Sequence, residues 1–209
     1  MENFFARVSS RAHPWPADRA DLHWHILHPT AMVEEHLVGP YRDLTGVPGL
    51  ARVEARWVHT TLMHGGPIAD YQPGEIDEIT RRVAAECAEL SPVELTYDRP
   101  SIGVVAVEVG AWPGAATRHL WELTTRIDAE ATGGRFPRTP TAHYPHASLA
   151  YGAADAGAVD RQALKVALSD SPGRAVTLPV TSISLVAQSH DNRFITWEHL
   201  ATVPLSGGR

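Results

Sequence analysis

The 209-residue chain has one cysteine, Cys87, and one lysine, Lys165. A single thiol excludes an internal disulfide and any zinc site built on several cysteines. The lysine lies in Ala163-Leu164-Lys165-Val166-Ala167 with no glycine-rich loop ahead of it. That excludes a Walker-type phosphate cradle and leaves Schiff-base chemistry without a suitable amine. A basic surplus is also missing: 18 basic residues, 17 of them Arg, stand against 24 acidic ones, for a net charge of −6. A grip on a long polyanion usually needs the opposite balance, so a polynucleotide partner is disfavoured. No stretch reaches the ~18 apolar residues that span a bilayer, and the start carries Glu2 and Arg7 without a signal-like apolar run. The expectation is a cytoplasmic protein with no membrane partner.

What is present is an ordinary globular balance, 44% hydrophobic and 20% charged. Residues 1–20, with Pro14 and Pro16 and no periodicity, read as an irregular arm, and 21–209 as one domain. From Leu22 to Leu27 apolar and polar residues alternate, with His23 and His25 on one face, as in a strand. Residues 31–44 read as a helix, and Arg52–Met63 as a second strand. Ile76, Ile79, Val83, Cys87 and Leu90 form an apolar stripe that marks a helix over 75–90, stopped by Pro92. Strands are expected at Val93–Tyr97, Ile102–Val109 and His146–Ala150. Further helices are expected at Ala115–Ala131, ended by Gly133-Gly134, and at Val159–Leu168. Two strands, Val176–Gln188 and Phe194–Val203, close the chain around Asp191-Asn192-Arg193. Strands and helices mix without strict alternation, which indicates an α+β fold with largely antiparallel sheets.

Two segments repeat. Trp57-Val58-His59-Thr60-Thr61-Leu62-Met63-His64-Gly65 and Tyr144-Pro145-His146-Ala147-Ser148-Leu149-Ala150-Tyr151-Gly152 share an aromatic, a histidine two residues on, a hydroxyl two further, then Leu and Gly. Their histidines are 87 residues apart, close to half the chain. A duplicated lobe with a pseudo-twofold axis explains this spacing. In a strand, residues i and i+2 share a face, so His59 projects with Thr61 and His146 with Ser148. Two imidazoles can serve as base and acid in one turnover, and neighbouring hydroxyls can donate to phosphoryl oxygens.

The paired His-x-Thr/Ser-Leu motifs, at 59–62 and 146–149, resemble those of the 2H phosphoesterase superfamily, which includes 2′-5′ RNA ligase-like proteins and cyclic phosphodiesterases. The resemblance extends from about Leu22 to Leu205. It implies a two-lobed fold with antiparallel sheets lining a central cleft and helices outside. It also implies cofactor-free, metal-independent phosphodiester chemistry on a small nucleotide-like or cyclic phosphate. His59 and His146 would be the acid–base pair, Thr61 and Ser148 the phosphate-binding hydroxyls, and His25, His64 and Tyr151 further substrate contacts. Tyr151 stands where many relatives carry arginine, and Ser148 replaces the commoner Thr. RNA end processing or 2′-5′ ligation is the rival activity, and a catalytically silent nucleotide-binding module on the same fold is the rival from another class. His23, His25 and His28 raise a metal site, but no third ligand follows at a fixed local spacing. Arg135 and Arg138 are the loop cations nearest the second motif.

Overall fold

A computed structural model describes residues 1–10, 14–136 and 142–207. Ten strands form one curled antiparallel sheet, of which eight run in the order β10-β9-β1-β3-β7-β6-β4-β8. These are β1 (Asp21–Ile26), β3 (Thr60–Pro67), β4 (Val93–Tyr97), β6 (Ala106–Trp112), β7 (His146–Gly152), β8 (Val176–Val180), β9 (Ser182–His190) and β10 (Ile195–Pro204). The short strands β2 (Leu50–Arg52) and β5 (Ser101–Ile102) pair with β7 and β6. The class is α+β, as the mixed patterning indicates.

The sheet divides into two four-stranded lobes that meet at β3 and β7. Their register sets Thr60 opposite Ala147, one residue after each motif histidine.

Each half of the chain contributes a neighbouring strand pair, β1 with β3 and β6 with β7. A third strand from each half then crosses into the other lobe. β4 packs beside β6 and β9 beside β1. The run expected as one strand over Val176–Gln188 is therefore two strands, broken at Thr181, that serve opposite lobes. Pro179 is tolerated because β8 is an edge strand paired only with β4. The closing hairpin turns where expected: Asn192 has φ 68°, and Asp191 Oδ1 accepts from the backbone N–H groups of Arg193 (2.8 Å) and Phe194 (2.7 Å).

The helices cover the outer face. They are α4 (Glu75–Cys87), α5 (Gly114–Ala131) and α6 (Arg161–Asp170), after the short α1 (Phe4–Ser9), α2 (Thr30–Val33) and α3 (Arg42–Thr45). Ile79, Val83 and Cys87 of α4 and Leu120, Leu123 and Ile127 of α5 are all buried in the core. Gly133 and Gly134, at φ 62° and 73°, end α5 in the left-handed region that favours glycine. No described helix is long and apolar enough to cross a membrane.

Five further expectations need correction. The strand expected over Ile102–Val109 is two strands, β5 and β6, which pair with each other. Residues 1–20 are not an irregular arm throughout. Asn3 Oδ1 accepts from the N–H groups of Phe5 and Ala6, capping α1, and Phe5 and Val8 are buried. A helix of six residues is too short to show periodicity. The helix expected over 31–44 is broken: α2 gives way to a π-turn (Glu34–Val38), a 3₁₀ turn (Gly39–Tyr41) and α3. Pro40 supplies no N–H and cannot continue an α-helix there. The strand expected over Arg52–Met63 is interrupted: Arg52 ends β2, a 3₁₀ turn covers Ala55–Trp57, and β3 begins at Thr60, so His59 precedes the strand. The last helix starts at Arg161, where the side chain of Asp160 caps it. Pro137, Arg138 and Pro140 lie outside the described residues.

Candidate active site

The junction of the lobes sets the site. Thr60 and Ala147 point into the core, 1% and 2% exposed, and Leu62 and Leu149 follow them inward. Residues on either side of the paired Thr60 and Ala147 must therefore emerge on the opposite, cleft face. In antiparallel register His59 then faces Ser148 and Thr61 faces His146. The two imidazoles occupy one diagonal of a four-residue square, and the two hydroxyls occupy the other. Diagonal neighbours on such a pair are about 7–8 Å apart at the backbone, which leaves room for one tetrahedral group between the rings. His59, Thr61, His146 and Ser148 all line one cleft with a cavity volume of about 390 Å³.

Both histidines are held in the same way. His59 Nδ1 donates to the Trp57 carbonyl at 2.9 Å, and His146 Nδ1 donates to the Tyr144 carbonyl at 2.9 Å. A carbonyl only accepts, so Nδ1 carries the proton and Nε2 presents its lone pair. The aromatic two residues before each histidine thus contributes its backbone to orientation. Its ring also packs nearby: Tyr144 stacks on His146 at 5.4 Å, and Trp57 meets Trp197, which stands edge-on to His59.

The surroundings of the two rings differ. His59 stacks on His25 at 4.2 Å with an interplanar angle of 21°. Burial pushes the His59 imidazole down to about 4, and His146 repels its proton further, against the pull of the Trp57 carbonyl. His146 is half-exposed, and its Nε2 lies 3.8 Å from the Glu108 carboxylate. Glu108 pairs with Ser148 across β6 and β7.

The other expected contacts separate into two groups. His64 and Tyr151 line the cleft. His64 Nδ1 donates at 2.8 Å to His23 Nε2, whose Nδ1 donates to the Asp21 carbonyl. Tyr151 is 2% exposed and hydrogen-bonded to Ser148; burial raises its phenol well above the ordinary value. His25 is a correction. It is 0% exposed and does not line the cleft, because the His59 ring lies over it and Trp197 stands against its edge. Burial, then repulsion from His59, lowers its affinity for a proton well below the ordinary histidine value. It supports His59 from beneath, and His23 is the β1 histidine that reaches the cleft.

His28 donates no ligand to a cluster either, since its Nε2 is bound to the Tyr97 hydroxyl at 2.9 Å. Among the described residues no group of three or more His, Cys, Asp or Glu side chains is arranged to hold a metal ion. Arg135 does not line the cleft and pairs with Glu75.

Several lining residues went unread in the sequence: Phe4, Trp15, Arg19 and Glu108. Glu108 carried a signal, as a lone acid in the apolar run Ala106-Val107-Glu108-Val109. Arg19 is the one Arg or Lys among the described lining residues, and Asp21 engages it bidentately at 2.7 Å and 2.7 Å.

A mirrored pair of tethered histidines with facing hydroxyls, on a two-lobed antiparallel sheet, matches a known pattern over most of the chain. The model of the 2′-5′ RNA ligase superfamily matches residues 29–192. The chain belongs to that superfamily. It is thus a 2H phosphoesterase-type protein by family and by fold. Among solved structures, TT0787 of Thermus thermophilus is 16% identical, with a TM-score of 0.69 over 90% of this chain and 100% of that one. E. coli LigT complexed with 3′-AMP is 18% identical, with a TM-score of 0.66 over 90% of this chain and 99% of that one. LigT has also been crystallised with ATP, with NADP+ and with phosphate. No curated protein matches the chain.

Proposed function

We propose that this 2H protein is a metal-independent phosphodiesterase that opens a small cyclic or nucleotide-like phosphodiester by paired acid–base catalysis. The observation that supports it best is the square formed by His59, Ser148, Thr61 and His146 around one anion-sized gap. His59, kept neutral by burial, is the base and takes a proton from water at Nε2. The water oxygen bonds to phosphorus as the bond to the leaving sugar oxygen breaks. His146, with Glu108 beside it as partner for its imidazolium, gives its Nε2 proton to that oxygen. The hydroxyls of Thr61 and Ser148 donate to the non-bridging oxygens, whose charge rises as water attacks. The product is a monoester, and proton exchange with water resets both rings. Run in reverse, with the roles exchanged, the same groups would ligate, which is the rival activity.

The cleft favours hydrolysis of a small ester over processing of a long RNA. Its one described guanidinium is already neutralised by Asp21, which leaves little to hold a phosphate backbone. The test is turnover of 2′,3′-cyclic nucleotides by EDTA-treated protein beside its His59→Ala and His146→Ala variants. Turnover that persists in EDTA and is lost in both variants supports the reading. Turnover that EDTA abolishes and zinc restores contradicts it.

A further inference from the structure

One wall of the cleft is built from residues that precede the family match. The superfamily match begins at residue 29, yet Phe4, Val8, Trp15 and Arg19 all line the cavity. The described residues 1–10 and 14–19 together touch both lobes. On the β7 side, the Glu2 N–H donates to the Val104 carbonyl at 2.9 Å, and the rings of Phe4 and Phe5 lie 4.6 Å and 5.6 Å from Tyr151. On the β9 side, the Asp18 N–H donates to the His190 carbonyl at 2.9 Å. His190 Nδ1 accepts from the Asn192 N–H, so its Nε2 carries the proton and donates to the Trp15 carbonyl at 2.9 Å. The Trp15 ring stands edge-on to His190 at 4.5 Å, and Phe5 packs on the same imidazole.

We infer that this N-terminal segment is a strap that closes one side of the cleft and selects a mononucleotide-sized phosphodiester over an RNA strand. The inference rests on the proposed function and deepens it. The strap's described residues, anchored on both lobes, narrow that side against a running chain. The remaining cavity, about 390 Å³, is near the lower end of the roughly 300–1,000 Å³ found for small-molecule sites. Apart from Arg19, which Asp21 engages, its strap wall is apolar and aromatic, suited to the flat face of one base, while the polar wall holds the phosphate square. The strap also accounts for a glycine of the repeat. A Cβ at Gly152 would come within 2.1 Å of the Glu2 carbonyl oxygen, so only glycine lets the segment lie there.

The experiment compares affinity for a 3′-mononucleotide and for a short RNA ending in the same 3′-phosphate, with turnover of the matching 2′,3′-cyclic forms. The native protein should bind and turn over the mononucleotide form preferentially. Trp15→Ala should weaken mononucleotide binding about tenfold or more, as loss of a stacking surface does, without weakening RNA binding in proportion. Gly152→Ala, which displaces the strap without removing a wall side chain, should bring the two affinities together. Equal affinity of the native protein for both ligands overturns the strap, as does a preference unchanged in a folded Gly152→Ala variant. Mononucleotide preference in binding with no turnover of either cyclic form supports the strap and contradicts the proposed activity instead.

Discussion

The two motifs place the same atoms and surround them differently. His59 and His146 share the tether to the carbonyl two residues back, the tautomer it fixes, and a hydroxyl across the sheet. His59 then lies over a buried imidazole with Trp57 and Trp197 close by, whereas His146 stands half-exposed beside a carboxylate. The repeat presents two equivalent groups, and packing makes them inequivalent. A lone pair kept free of protons suits a base, and a ring with an anionic neighbour suits an acid. On the proposed function, the repeat places the two groups and their neighbours assign their roles.

The comparison breaks most severely when either ring is removed. His59→Ala and His146→Ala should each lower kcat about 10²–10⁴-fold, with the double variant little worse than either single one, since the pair acts as a unit. Steady-state rates on a 2′,3′-cyclic nucleotide check this. Removing the hydroxyls should cost less. Thr61→Val or Ser148→Ala should lower kcat/KM by roughly 10–100-fold, the worth of a hydrogen bond to a charged oxygen.

The asymmetry has its own signature in pH. A base whose proton affinity is pushed down to about 4 loses activity only as pH falls through that value, so the acid limb of kcat/KM should lie well below the ordinary histidine range. Glu108→Gln should cost about 2–5-fold in kcat/KM, the scale of a partly exposed ion pair.

Stability should follow the same histidines. His23, His25 and His59 all have folded-state proton affinities lowered by burial. The unfolded chain binds protons below the ordinary histidine value near 6.5, and the fold excludes them. Their contribution is therefore complete above about 6.5 and is lost as pH falls below it, for His59 down to about 4, with Tm declining over that range in a thermal melt. His25→Ala, which empties the layer beneath His59, should cost about 2–5 kcal/mol in the same assay.

The parts legible in the sequence are those with a repeating or periodic signal. The motif pair showed through its spacing, α4 through its apolar stripe, and the closing hairpin through Asp191-Asn192-Arg193. The exchange of strands between lobes was not legible, because a single residue, Thr181, separates two strands with the same β pattern. α1 was missed because one turn and a half of helix leaves no period, and its burial depends on contacts with Tyr151 and His190 far along the chain. His25 was misplaced for a related reason. It shares a strand face with His23, and only the position of His59 above it decides that His23 reaches the cleft.

The division of labour between the rings is tested most directly with two phosphodiester substrates that differ only in the leaving group, an alcohol and a nitrophenol. A nitrophenolate departs without needing a proton, so His146→Ala should recover most of its lost rate on that ester while His59→Ala stays inactive on both. Recovery by His59→Ala instead, or by both variants alike, would contradict the account.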